Sequence, residues 1–100
     1  MSAPGGGTDR CSLHALVRGY VQGVNFRQFV YTRARSLKLT GNVSNLDDGA
    51  TVEVIAEGPR HDLEQLLDHL REGPRSARVD EVDVRWGKAT ERGADFEIAP

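Results

Sequence analysis

The apolar residues of this chain switch twice between a period of two and a helical period, and few folds accommodate that order. Leu13, Ala15 and Val17 alternate with His14, Leu16 and Arg18, which predicts a strand. Phe26, Phe29, Val30, Ala34 and Leu37 recur at helical spacing and predict an amphipathic helix over about 26–37. Asn25 stands where a helix cap belongs, and Gln28 three residues on completes a capping-box-like pattern. Thr40-Gly41 ends that helix, and a short strand over about 42–45 runs into the turn signal Leu46-Asp47-Asp48-Gly49. Val52 and Val54 alternate with Glu53 and Ile55, so a hairpin is expected, closed by Gly58-Pro59. Leu63, Leu66, Leu67 and Leu70 mark a second amphipathic helix that stops at Gly73-Pro74. Val82, Val84 and Trp86 give a fourth strand, and Phe96 and Ile98 a short last one. The order β-α-β-β-α-β, plus a final β, is the split βαβ or ferredoxin-like arrangement of an α+β domain. It predicts an antiparallel sheet with both helices on one face. That topology hosts many functions, so the chemistry must come from the residues.

One hundred residues leave room for one such domain. Residues 1–10 are small, polar and glycine-rich and read as a disordered lead, with the domain over 11–100. No apolar run approaches the roughly 18 residues of a membrane span, and the N-terminus lacks the pattern of a secretory signal. A lone cysteine, Cys11, excludes an internal disulfide, so a reducing cytoplasm is the expected location and a monomer the default state. A net charge of −2 argues against a duplex-binding protein, and no nucleic-acid or membrane partner is expected.

That charge is unevenly spread. No Asp or Glu occurs between Arg10 and Leu46, a stretch carrying Arg10, Arg18, Arg27, Arg33, Arg35 and Lys38, whereas residues 51–100 have an acidic excess. Two readings stand: a solvated basic helix face, or an anion site from which carboxylates are excluded. The segment Gly19-Tyr20-Val21-Gln22-Gly23-Val24 joins a strand to a helix N-terminus, whose first N–H groups lack intrahelical partners. Gly23 permits a sharp turn, and Arg27 falls in the first helical turn, where a guanidinium suits phosphate oxygens. The nucleoside-triphosphate loop pattern is absent. By spacing alone the anion-site signal is weak, and a plain turn followed by a surface arginine is the better explanation of the segment.

Val17-Arg18-Gly19-Tyr20-Val21-Gln22-Gly23-Val24-Asn25-Phe26-Arg27 closely resembles the signature of the acylphosphatase family. A second block, Gly41-Asn42-Val43-Ser44-Asn45 followed by Asp48-Gly49, is similar to another family pattern, and Val52-Glu53, Gly73-Pro74 and Phe96-Glu97-Ile98 also match, so the resemblance spans about 13–98. It implies hydrolysis of the carboxyl–phosphate bond of a small acyl phosphate to a carboxylate and inorganic phosphate, with neither metal nor cofactor. It also implies that Arg27 and Asn45 are catalytic and that Gln22, Gly23, Val24, Asn25 and Phe26 form the phosphate-binding backbone. An acyl phosphate has a good leaving group, so the remaining demands are charge stabilisation and alignment. An asparagine is no base, but its amide can aim a water molecule. One departure stands out: many relatives carry Trp after the equivalent of Gly41, where this chain has Asn42, and a reshaped pocket or looser hairpin is the expected consequence.

The alternative is a non-catalytic anion-binding module on the same fold, like the acylphosphatase-like domains of larger maturation proteins, whose zinc-finger cysteines this sequence lacks. The remaining candidates have plainer readings. His14, His61 and His69 are scattered rather than spaced as metal ligands. Asp47 and Asp48 suit a turn, Trp86 suits packing, and Cys11 has no evident partner base. Phe26 lacks the surrounding pattern of an RNA-stacking platform.

Overall fold

The computed structural model describes residues 9–90 and 94–99. Its elements follow the expected order: β1 (Arg10–Tyr20), α1 (Phe26–Ser36), β2 (Thr40–Asn45), β3 (Thr51–Pro59), α2 (Arg60–Glu72), β4 (Arg78–Lys88) and β5 (Phe96–Ile98). The sheet order is β4-β1-β3-β2-β5. Four strands pair antiparallel, with Val17 opposite both Val52 and Val82. β5 departs from the expected all-antiparallel sheet, because it runs parallel to β2, Gly41 meeting Phe96 and Val43 meeting Ile98. The cause is topological. β4 lies at the opposite edge, so the chain must cross the sheet end before entering beside β2. Glu57 anchors that crossing by accepting the Thr90 N–H at 2.9 and 3.0 Å and its hydroxyl at 2.7 Å.

Both helices pack on one face. Phe26, Val30 and Ala34 of α1 and Leu63, Leu66, Leu67 and Leu70 of α2 are buried. They meet Leu13, Ala15, Val17, Val43, Val52, Val54, Ala56 and Phe96 from the sheet. Truncating one of these fully buried leucines to alanine costs about 2–5 kcal/mol in typical cores. Trp86 is partly buried against this core, with the Arg60 guanidinium 3.8 Å from its ring centre.

The start of the domain differs from expectation. The expected lead falls, for residues 1–8, outside the described residues. Asp9 and Arg10 are part of the fold, since the Asp9 carbonyl accepts the Arg60 N–H at 2.9 Å and Arg10 pairs with Pro59. Cys11 therefore lies within β1, opposite Gly58 and Lys88, and not at the edge of a loose tail. Local composition hid this, because the strand is held by backbone pairing on both sides.

Candidate active site

At the C-terminal end of β1 the chain turns from strand to helix through a loop of unusual backbone geometry. Gly23 has φ 74° and Asn25 has φ 67° with ψ 18°, both left-handed. No neighbouring atom lies within 4 Å of where a Gly23 side chain would begin, so conformation and not space calls for glycine there. The expected capping box does not form. Asn25 makes no side-chain cap bond, and Gln28 donates to the Thr32 hydroxyl at 3.4 Å. The physical reason is Asn25's left-handed conformation, since a capping side chain folds back from an extended one. Left-handed residues in a turn are one setting in which backbone N–H groups bind anions, and a helix N-terminus contributes the positive end of its dipole.

The loop borders a cleft of about 400 Å³ lined by Val21, Gly23, Asn25, Phe26, Arg27, Gln28, Asn45 and Ile98. Of the residues singled out in the sequence, Gly23, Asn25, Phe26, Arg27 and Asn45 thus share one cleft. None of its lining residues carries a carboxylate. Arg27 donates from Nη1 to the Ala99 carbonyl at 2.9 Å. Among the described residues it pairs with no carboxylate. By contrast Arg18 meets Glu81 and Asp83 at 3.6 and 3.3 Å, and Arg35 meets Asp95 at 3.5 Å. A carbonyl orients a guanidinium without neutralising it. Asn45, the last residue of β2, contributes a buried Oδ1 with no hydrogen-bond partner among the described residues. Buried polar atoms are nearly always paired, so an unpaired one in a polar cleft marks a place for a ligand or a water.

Gln22 and Val24 are not among the residues lining the cleft. The Gln22 amide donates to the Leu46 and Thr51 carbonyls, both at 2.9 Å, and so ties the loop to the β2–β3 turn beside Asn45. The Val24 carbonyl accepts the Ser76 hydroxyl at 2.8 Å, which fixes the loop from the other side. Asp48 closes the turn, accepting the Ala50 N–H at 2.8 Å and the Thr51 hydroxyl at 2.6 Å. The Thr51 hydroxyl first, and then the Ala50 N–H, hold its carboxyl below the ordinary value of 3.8. Asp48 is therefore a turn residue. Val21, Gln28, Ile98 and the Ala99 carbonyl are additions that the sequence did not single out for the site. Only Ile98 left a trace, in the closing Phe96-Glu97-Ile98 pattern, because its place in the cleft depends on β5 docking beside β2.

A larger cavity, about 610 Å³, lies on the sheet face away from the helices, and Glu57, Asp95 and Glu97 are among its lining residues. Its carboxylates make it a poor host for a dianion. Asn42, the departure noted in the sequence, lines this cavity and not the cleft. His14 is bound to Glu53 at 2.7 Å, and His69 stands edge-on to Phe29 with ring centres 6.4 Å apart.

A profile of the acylphosphatase family matches residues 13–98. The chain is 54% identical over 76 residues to an acylphosphatase of Thermus thermophilus, which covers 76% of this chain and 85% of that protein. Its structure is similar to that of the acylphosphatase from Bacillus subtilis, with a TM-score of 0.86 and 36% identity over 90% of this chain and 99% of the other. It is also similar to full-length HypF, solved in a phosphate- and nucleotide-bound form, with a TM-score of 0.78 and 34% identity, but it covers only 12% of that longer chain. With the profile spanning nearly the whole fold, and residues of the signature loop lining the cleft described above, this chain belongs to the acylphosphatase family.

Proposed function

We propose that the acid-free cleft is where this chain hydrolyses acyl phosphates, with Arg27 and the backbone of the Gln22–Phe26 loop holding the phosphoryl group and Asn45 orienting the attacking water. The hydrolysis itself, of an acyl phosphate to a carboxylate and inorganic phosphate, is the activity of the family to which the chain belongs. The observation that carries the residue assignment is the meeting of two groups in one cleft, an arginine with no carboxylate partner and a buried amide oxygen with no donor among the described residues.

The chemistry follows from those groups. Phosphoryl transfer passes through a loose transition state in which charge spreads over the equatorial oxygens. Fixed N–H donors and a guanidinium stabilise that charge without reorganising. Asn45 Oδ1 accepts a hydrogen bond from water and so directs its oxygen at phosphorus, opposite the departing carboxylate. The water–phosphorus bond forms as the phosphorus–acyl oxygen bond breaks, and the electron pair leaves with the carboxylate. The water's proton passes to a phosphoryl oxygen, so that the product is dihydrogen phosphate. No step is routed through a metal.

Among the described residues no helix is long and apolar enough to cross a membrane. We place the chain in the cytoplasm as a monomer, on the strength of its single cysteine and small size.

The test is turnover of benzoyl phosphate in the presence of a chelator. The wild-type chain is expected to remain active. Arg27→Ala is expected to lose roughly 10²–10³-fold in kcat, and Asn45→Ala roughly 10²-fold, with circular dichroism unchanged in both. Phosphate binding without turnover in the wild-type chain would instead leave an anion-binding module.

A further inference from the structure

The cleft has more room than a phosphoryl group needs. Its volume of about 400 Å³ falls within the roughly 300–1,000 Å³ of sites that enclose whole small molecules. Its lining residues divide by chemistry. Gly23, Asn25, Arg27 and Asn45 are the polar groups assigned above to phosphate and water. Val21 and Phe26 line the cleft as well, but each is only 1% exposed and belongs to the core. Ile98 is different, being apolar and 37% exposed. It is the last residue of β5 and pairs in parallel with Val43, two residues before Asn45. Strand alternation puts Phe96, Ile98, Val43 and Asn45 on the same, helix-covered side of the sheet. Ile98 thus flanks the amide that orients the water, with a side chain that offers no hydrogen bond. Among the described residues no carboxylate lines the cleft to recognise a cationic acyl portion, and the remaining polar group, the Gln28 amide, is turned to Thr32.

Resting on the assignment of Arg27 and Asn45, we propose that Ile98 is the contact for the acyl portion of the substrate and a specificity-determining residue. The chain accordingly prefers acyl phosphates with an apolar acyl group, aromatic or branched aliphatic, over acetyl phosphate. The acyl group covers Ile98 while its phosphate lies in the loop. Burying apolar surface on a half-exposed wall gives a modest preference and not an absolute one.

The experiment compares kcat/KM for benzoyl phosphate and acetyl phosphate in wild type, Ile98→Ala and Ile98→Leu, together with competitive inhibition by inorganic phosphate. In Ile98→Ala the benzoyl-to-acetyl ratio is expected to fall about fivefold, with the phosphate inhibition constant within about twofold of wild type. Ile98→Leu is expected to keep the ratio. An unchanged ratio in a folded Ile98→Ala overturns the proposal, and if Arg27→Ala is inactive in the same assay the site assignment still stands. A ratio that falls together with weakened phosphate inhibition also overturns it, because Ile98 would then act through the phosphate cradle. A folded and fully active Arg27→Ala removes the site assignment, and this proposal with it.

Discussion

Arg27 contacts a main-chain carbonyl where several other arginines contact carboxylates. Arg18, Arg35, Arg60 and Arg78 each lie beside a carboxylate, at 3.3, 3.5, 3.2 and 2.9 Å. Arg27 lies beside the Ala99 carbonyl. Its planar fork can spend one N–H on that carbonyl and keep others for two phosphoryl oxygens. A lysine ammonium is a point charge on a flexible stem and cannot hold both in fixed geometry. Arg27→Lys is therefore expected to keep the fold and still lose roughly 10²-fold in kcat/KM, as Michaelis kinetics beside circular dichroism would measure; near-wild-type turnover would mean that charge alone suffices. At this scale Gly23 marks a turn by its type, while Arg27 and Asn45 stand out only through the motif blocks that resemble the family. The Ala99 carbonyl does not, because a main-chain oxygen leaves no mark in composition. Asn25 holds the N-cap position, its carbonyl accepting the Phe29 N–H at 3.0 Å, but its left-handed backbone withholds the side-chain capping bond that its residue type suggests.

Among the elements, the site is a joint between a loop and a hairpin, and Gln22 is the fastener. Its amide bridges the Leu46 and Thr51 carbonyls, and Leu46 directly follows Asn45. Losing it removes one hydrogen bond from each carbonyl, which costs about 0.5–1.5 kcal/mol apiece, although Thr51 still accepts the Leu46 N–H at 2.9 Å and Leu46 the Gly49 N–H at 3.5 Å. It also frees the end of β2 to shift relative to the loop. Gln22→Ala is expected to lower the urea midpoint accordingly and to reduce kcat about tenfold, more than it changes KM, since a small displacement of an aligning group damages the reaction more than binding. A stability loss with kcat untouched would show that the hairpin holds Asn45 without this brace. Both helices and four of the strands were legible because their apolar periods are long and face one core. Their ends were not, since β1 and β4 each extend to 11 residues by pairing with neighbours. The direction of β5 was also hidden, because three residues show a period but not which neighbour they join or which way they run.

Over the whole molecule, the two cavities differ in the charge of their described lining residues. The acid-free stretch from Arg10 to Leu46 supplies seven of the eight residues that line the cleft, while the acidic second half supplies Glu57, Asp95 and Glu97 to the larger cavity across the sheet. Size favours the second cavity as a ligand site, and electrostatics favours the first. For a dianion, charge decides, since focused potential in a cleft outweighs extra room. The substitution of Asn42 for the family's common Trp falls on the acidic side, which separates it from the proposed chemistry. The direct measurement is a titration of the ¹⁵N-labelled chain with inorganic phosphate, followed by amide NMR shifts. The backbone amides of Gly23, Val24, Asn25 and Phe26 and the side-chain amide of Asn45 are predicted to move together along one saturable curve. Shifts centred on Thr40, Gly41 and Glu57, with the Gly23–Phe26 loop unmoved, would contradict the account.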